Sequence, residues 1–421
     1  MNIYFCGIGG VGIGPLAEIA LDAGYTIRGS DKNRGMVTEH LENRGVAIDY
    51  DQSGSNLQQV HTKQPVDWFV YTAGIPDEHP ELVMARSLGI RTSKRDELLS
   101  AIIKEKNLKL IGITGTHGKT TTTAMTVWTM KKLGIPISYS IGATMSFGPS
   151  GHYEPGSKYF VYECDEFDRN FLQFDPFLSM ITSIDYDHPD VYSTPEDYVS
   201  AFRQFIDQSE WCLLWRNDAN LIGEVKNGWI LGFHDASIIQ LSGEHNRDNA
   251  SLVVKAMERL GVSGNAVDAI NTFPGTNRHF EKIATNLYSD YGHHPAEIAA
   301  TLQQARELND TVVLVYQPHQ NVRQHELRTR YTDCFEQANT VYWLPTYLTR
   351  EDPELSVLTP AELSMKVTNH DAINIANMND ALWANIQKAQ SENALVLVMG
   401  AGSIDGWIRK KLAQQSSATM F

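Results

Sequence analysis

Short apolar runs alternate along this chain with stretches whose apolar residues recur every three or four positions. The runs Asn2–Cys6, Trp68–Thr72, Leu108–Thr114, Lys158–Glu163, Ser179–Ile184, Trp211–Leu214, Thr311–Tyr316, Thr340–Leu344, Ala372–Ile375 and Leu395–Met399 read as strands. Helical patterns fall between them at Leu16–Ala23, Thr120–Leu133, 246–260, 264–272 and Ala296–Leu308. In Thr120–Leu133, Ala124, Val127 and Trp128 sit at i, i+3 and i+4, on one helical face. Strand and helix in alternation predict an α/β chain with mostly parallel sheets. The charged Lys104–Asn107 precedes a fresh strand and glycine loop, and Pro274-Gly275 follows two helical stretches. Boundaries there give segments 1–106, 107–275 and 276–421.

Composition narrows the class. With 421 residues, 42% apolar and 20% charged, the chain is ordinary globular protein, long enough for several cores. Its net charge of −15 disfavours nucleic acid and anionic membrane as partners. A polyanionic substrate then needs a local cradle of backbone amides, a few cations and metal ions. Cys6, Cys164, Cys212 and Cys334 form no CxxC, which excludes a zinc ribbon, disfavours a disulfide framework and fits a reducing cytosol. The opening MNIYFCGIGG lacks a basic segment leading into an apolar run, so no secretion signal is expected. No stretch is apolar enough to span a membrane.

Three glycine loops follow predicted strands. Gly7-Ile-Gly9-Gly10-Val-Gly12 satisfies GxGxxG before a helix, where glycines let a diphosphate approach and the helix start favours negative charge. Asp31 lies at the spacing of a ribose-binding acid. Taken alone this pattern means a dinucleotide; such loops also hold other nucleotides, or nothing. The second loop, Thr114-Gly115-Thr116-His117-Gly118-Lys119-Thr120-Thr121, is a shortened phosphate loop. Amides at the helix start would cradle phosphates, Lys119 would reach the terminal ones, and Thr120 would ligate Mg²⁺. The third, Gly400-Ala-Gly402, has no lysine and reads as a tight turn.

Carboxylates and imidazoles cluster at predicted strand ends. Glu163 ends one strand and His188 follows another; at the carboxyl edge of one parallel sheet the two could hold a divalent metal beside the second loop. Asp165, Glu166, Asp168, Asp185 and Asp187 either deepen that negative site or cap helices and face solvent. Asp290-Tyr291-Gly292-His293-His294 reads as a loop before a helix opened by Pro295, a polar and aromatic lip; His319 and Arg323 follow a further strand end. No Gly-x-Ser-x-Gly elbow appears, which disfavours a covalent acyl-enzyme.

In this order the pieces resemble the Mur ligase family, ATP-dependent amide-forming enzymes of peptidoglycan precursor synthesis. The resemblance is carried by GIGGVGIGPLAEI, GSDK, TGTHGKTTTT, ECDEFDRNFL, TSIDYDH, GEHNRDNA, NRHFE, DYGHHPAEI, QPHQNVR and VMGAGSI. It implies three domains: a Rossmann-like N-terminal domain for a UDP-sugar, a central P-loop ATPase-type parallel-sheet domain, and a Rossmann-like C-terminal domain for an amino acid. Gly9, Gly10, Val11, Gly12 and Asp31 would then serve UDP-sugar. Gly115, Thr116, His117, Gly118, Lys119, Thr120 and Thr121 would hold ATP, with His245 and Asn249 near adenine and Arg278 on the phosphates. Thr120, Glu163 and His188 would hold Mg²⁺ (or Mn²⁺). Asp290, Tyr291, His293, His319 and Arg323 would form the amino-acid lip, with Asp290 and His293 as candidate bases.

The implied reaction joins L-alanine to the lactyl carboxylate of UDP-N-acetylmuramate through an acyl phosphate, in the bacterial cytoplasm. A recycling ligase that attaches a tripeptide is the nearest alternative; DEFDRNFL and DYDHPDVY favour alanine. A nicotinamide-dependent dehydrogenase, argued from the first loop and Asp31, is the alternative from another class. Three positions depart from the family pattern: Ser289 where an acid is usual, Gln320 where arginine is common, and Ser403 where an acid often follows the third loop.

Overall fold

The opening run becomes β1 (Asn2–Cys6), the centre of a parallel sheet with β2 (Thr26–Ser30), β3 (Ala47–Asp49), β4 (Trp68–Tyr71) and β5 (Arg91–Ser93). The order β3-β2-β1-β4-β5 winds outward from β1 in both directions, so a crevice opens between the carboxyl ends of β1 and β4. The computed structural model describes residues 1–72, 74–188, 191–232, 238–262, 264–349 and 351–418. The chain forms two units, Met1–Asp235 with Asn249–Phe273, and Ala236–Asp248 with Pro274–Phe421.

The first unit holds a second sheet of β6 (Lys109–Thr114), β7 (Ile137–Ser140), β8 (Gly151–His152), β9 (Tyr159–Glu163), β10 (Leu178–Ile181), β11 (Trp211–Trp215) and β12 (Gly228–Leu231). The order is β12-β11-β10-β6-β9-β7-β8, parallel apart from the β7–β8 pair. β6 lies between β10 and β9, with Ile181 opposite Thr114 and Glu163 opposite Ile113. That register sets Glu163 and the chain leaving β10 beside the second glycine loop. The two sheets of this unit pack through the helix Ile13–Asp22. Gly151 comes so close to Pro15 that a Cβ there would stand 2.7 Å from its carbonyl carbon. Tyr162 also donates across the junction to Asp96 at 2.7 Å.

The second unit contains β13 (Glu281–Ala284), β14 (Leu287–Asp290), β15 (Val312–Tyr316), β16 (Thr340–Trp343), β17 (Ile373–Ile375) and β18 (Leu395–Met399), in the order β13-β14-β18-β15-β16-β17. Only β13 runs antiparallel among the described strands of this sheet. β18 is an unbroken apolar run because it is buried on both faces, against Trp343 and Tyr316 on one side and Ile404 and Ile408 on the other.

Differences from the sequence reading have local causes. The strand expected at Ser179–Ile184 ends at Ile181, because Thr182 turns to bond the second loop: its N–H meets Thr114 O and its hydroxyl meets His117 O. Asp290, expected in a loop, is the last residue of β14. The helix Lys119–Lys132 is buried on more than one face; Thr122, Thr123, Thr126 and Thr129 are all sealed from solvent. Hydroxyls of Thr123 and Thr126 bond the carbonyls four residues back, which lets a threonine-rich segment pack as though apolar. Among the described residues no helix is long and apolar enough to cross a membrane.

Candidate functional site

The second glycine loop leaves β6 and enters the helix at Lys119. Gly115 has φ +141° and Gly118 has φ +84°, conformations that L side chains rarely adopt. Space excludes a side chain as well: a Cβ on Gly115 would stand 2.8 Å from both N and O of Ser183. The loop is tied to the chain after β10, with Thr116 N–H on Ser183 O, His117 N–H on Ser183 Oγ at 3.0 Å, and Thr116 Oγ1 on Asp185 O at 2.7 Å. His117 Nε2 lies 3.5 Å from Asp185. Asn249 packs against Gly118, where a Cβ would come within 2.8 Å of its amide oxygen. The first-turn amides that follow, through Thr121, have no partner inside the helix, the arrangement that binds anions.

Lys119 and Thr120 are each engaged. The Lys119 ammonium donates to Gly115 O at 2.6 Å, Thr116 O at 3.2 Å and Glu166 Oε1 at 2.9 Å. Burial opposes its charge, yet Glu166, with Asp165 and Glu163 behind it, holds its pKa above the ordinary lysine value. Glu166 itself is fully buried, and burial pushes its carboxyl up to about 7 against the pull of Lys119. Thr120 Oγ1 donates to Glu163 Oε1 at 2.8 Å, and the other Glu163 oxygen accepts from Gly142 N–H at 2.9 Å. His188, at φ +57°, turns its Nε2 to 3.9 Å from Glu166 and 3.8 Å from Asp187. A hydroxyl and a carboxylate at one strand edge are hard oxygen donors, the type that Mg²⁺ takes together with phosphate oxygens.

The first glycine loop is built around its own acid. Asp31 Oδ2 accepts Gly9 N–H at 2.8 Å and Oδ1 accepts Asn33 N–H at 3.0 Å. Gly7 and Ile8 donate to Ser30 O, and Gly10 O receives the amides of Ile13 and Gly14. Gly12 begins the helix with the Arg95 guanidinium against it; a Cβ there would lie 2.7 Å from Nη1. Val11 is 89% exposed over the loop, open to a ligand. A cleft of about 220 Å³ runs from Val11, Gly12 and Arg95 to Gly142, Glu163 and Asp165. It joins the first glycine loop to the carboxylate that holds Thr120.

In the second unit, the carboxyl ends of β14, β15 and β18 gather a separate group. Tyr291 and His293 have ring centroids 5.7 Å apart, as do His293 and His319, and Arg323 bonds His293 Nε2. His293 Nδ1 lies 3.2 Å from Tyr291 O and 3.9 Å from the Glu297 carboxylate. Arg278 donates to Gly400 O at 3.1 Å, lies 3.7 Å from Asp405 and sits over the Tyr291 ring. The third loop is a close-packed turn: at φ +150°, a Cβ on Gly400 would meet Gln317 O at 2.5 Å. Asp290 accepts Gly292 N–H at 2.7 Å and Phe280 N–H at 2.8 Å, and burial raises its carboxyl to about 6. His245 also lies in this unit, its Nδ1 sealed from water, and burial lowers its pKa to about 4.

In the first unit the sequence reading missed Arg95 and named Glu166 only as one acid among five. Glu166 stood among several acids, and nothing in the pattern marks it as the one folded inward. Arg95 opens the helix Arg95–Glu105, and only the winding of the first sheet, which lays that helix beside Ile13–Asp22, puts it over Gly12. In the second unit, Ser289 donates to Asp405 at 2.6 Å, so an acid from another element stands beside the position where the family pattern has its own.

Comparison with known proteins agrees along the chain. Residues 2–107 match the Mur ligase family catalytic domain, 113–237 the Mur ligase middle domain, and 278–402 the Mur ligase glutamate ligase domain. The UDP-N-acetylmuramate–L-alanine ligase of Acetivibrio thermocellus is 30% identical, over 96% of this chain and 94% of that one. Its namesake from Cytophaga hutchinsonii is 29% identical, over 98% and 97%. The crystal structure of UDP-N-acetylmuramate-alanine ligase from Thermotoga maritima superposes with a TM-score of 0.76 at 25% identity, over 99% of this chain and all of that one. A murein peptide ligase from Psychrobacter arcticus shares the fold, with a TM-score of 0.65 at 21% identity.

Proposed function

The chain belongs to the Mur ligase family, and from that premise we propose that it is an ATP-dependent ligase that joins L-alanine to the lactyl carboxylate of UDP-N-acetylmuramate, in the bacterial cytoplasm, for peptidoglycan synthesis. The observation that carries this is the cleft from the first glycine loop to Glu163. It offers a diphosphate-binding helix start at one end and, at the other, a carboxylate bonded to the phosphate-loop threonine. A sugar nucleotide with its diphosphate at Gly9–Gly12 and Arg95 would extend its acid toward the terminal phosphate of ATP. The working division is 1–106 for the sugar nucleotide, 107–275 for ATP and 276–421 for the amino acid.

A carboxylate does not condense with an amine unaided. In the proposed reaction a lactyl carboxylate oxygen attacks the γ-phosphorus in line, ADP leaves, and an acyl phosphate forms. The alanine amine then adds to the acyl carbon, and orthophosphate leaves with that carboxylate oxygen. No side chain becomes covalently attached, so the protein supplies position and charge. Lys119 neutralises the terminal phosphates, and Glu166 keeps its ammonium charged and aimed. Thr120 and Glu163, with His188, would hold Mg²⁺, which when bound offsets charge on the phosphate oxygens. Gly115 to Thr121 cradle the phosphates, Asn249 and His245 are assigned to the nucleotide, and Arg278 to its phosphates. Tyr291, His293, His319 and Arg323 are assigned to alanine. Of the two candidate bases, His293 is assigned to proton removal from the ammonium, since its ring stands among those of Tyr291 and His319 at the lip. Asp290, bonded to two backbone amides, is assigned to holding the loop.

The dehydrogenase alternative leaves the phosphate loop, and the Glu163 carboxylate bonded to Thr120, without a role. Phosphate release with UDP-N-acetylmuramate and ATP, offered L-alanine, glycine, L-serine or a tripeptide in turn, tests the reading. Turnover with L-alanine above the others is expected; turnover with the tripeptide alone would move the protein to the recycling reaction.

A further inference from the structure

Cys6, His79 and Glu81 converge at the carboxyl edge of the first sheet and share no residue with the cleft. Cys6 ends β1, and His79 and Glu81 come from the connection after β4, so the group sits at the switch point of the sheet. The thiol sulfur, a ring nitrogen and a carboxylate oxygen all lie within 4.8 Å of one another, with Sγ 4.0 Å from His79 Nδ1. Tetrahedral zinc with its usual bonds to sulfur and nitrogen would set those two atoms about 3.6 Å apart, a side-chain adjustment of a few tenths of an ångström.

The electrostatics of this group are incomplete. Cys6 and Glu81 are both 0% exposed. Glu81 accepts from Tyr4 OH at 2.9 Å and from Ser30 Oγ at 2.5 Å, both neutral donors. Among the described residues no cation pairs with it, and a buried carboxylate without a cation is unfavourable unless a metal or a partner charge compensates it. Each of its oxygens keeps a further lone pair. His79, half-buried, gives the group a side open to entering ions.

We propose that Cys6, His79 and Glu81 bind a divalent transition metal of the zinc class, at a site distinct from the nucleotide cleft. One sulfur, one imidazole and one carboxylate favour a borderline-soft ion over Mg²⁺. The metal takes the thiolate, releases its proton to solvent and neutralises Glu81. Gln52 is placed for the fourth position: its amide lies 3.8 Å from Sγ, and a half-turn presents its oxygen. Ser30 links the site to the first glycine loop, since its hydroxyl bonds Glu81 and its carbonyl receives Gly7 N–H. The proposal stands independently of the ligase reading.

Cobalt(II) titration of the metal-stripped full chain tests it. Thiolate ligation gives a near-ultraviolet charge-transfer band with tetrahedral bands in the visible, and an oxygen-ligated cobalt at Glu163 gives no such band. One equivalent should develop the band, and zinc should abolish it. Cys6→Ser should remove it, Cys164→Ser should leave it intact, and His79→Ala should weaken cobalt binding at least about tenfold. Absence of a thiolate band in folded protein, or a band that survives both Cys6→Ser and His79→Ala, overturns the site. If Cys6→Ser does not fold, His79→Ala, at the half-buried position, decides.

Discussion

His245 gives the second unit a calculable dependence on pH. The residue is partly covered, but its Nδ1 is sealed from water with no partner among the described residues. Burial is the main cause of its depressed pKa; Arg247 adds to it and Glu307 works against it. The folded pKa is about 4 against an ordinary value of 6.5. Between those values the unfolded chain holds a proton that the folded chain does not. Stability is therefore full above 6.5 and falls as pH drops toward 4. At about 1.36 kcal/mol per unit, a step from about pH 7 to about pH 5 removes roughly 2 kcal/mol. That is an upper figure, because the residue keeps some contact with water. Other buried acids act in the opposite sense: Glu166, Asp218 and Asp290 take up protons in the folded state over part of this range. The comparison of wild type with His245→Gln removes their contribution. Urea unfolding followed by tryptophan fluorescence, at both pH values, should show wild type losing about 2 kcal/mol more than the variant. Equal losses in the two proteins would refute a buried neutral histidine.

The other predictions concern the cleft and the phosphate loop. Lys119→Ala should lower kcat for ADP release by at least about 10²–10³, the usual loss of one preorganised donor; near-normal ADP formation would remove Lys119 from its role. Gly115→Ala should abolish binding of a fluorescent ATP analogue, since its Cβ meets the Ser183 backbone. Gly134→Ala, also at positive φ but in open space, should cost only about 1–2 kcal/mol in a thermal melt and leave binding intact. Arg95→Ala should raise KM for the sugar nucleotide roughly 10–100-fold, the worth of one or two charged hydrogen bonds, with KM for ATP little changed. Equal shifts in both constants would place Arg95 outside the sugar-nucleotide end.

What could be read from sequence follows from where the free energy resides. β1 and β18 have the bounds their apolar runs predict, because central strands buried on both faces need unbroken apolar sequence. Among the strands that escaped, Ala47–Asp49, Arg91–Ser93 and Gly151–His152 are too short to show a pattern, and Thr26–Ser30, Ile137–Ser140, Gly228–Leu231, Glu281–Ala284 and Leu287–Asp290 mix polar with apolar residues, so pairing with a neighbour holds them. The phosphate loop was legible because Gly115, Gly118 and Lys119 are constrained by local backbone and ligand chemistry together. Glu166 was not, because one acid among several becomes a buried counter-ion only after the chain turns inward at Asp168 and Arg169, both near φ +55°. Asp31 shows a role that spacing alone does not display: its carboxylate closes the loop on Gly9.

The central claim is that a sugar-borne acid is activated at the phosphate loop as an acyl phosphate. Turnover of UDP-N-acetylmuramate carrying heavy-isotope oxygen in its lactyl carboxylate, with unlabelled ATP and L-alanine, tests it most directly. The account predicts one labelled oxygen in each orthophosphate released, found by mass spectrometry. Orthophosphate free of label, with amide product formed, would contradict it.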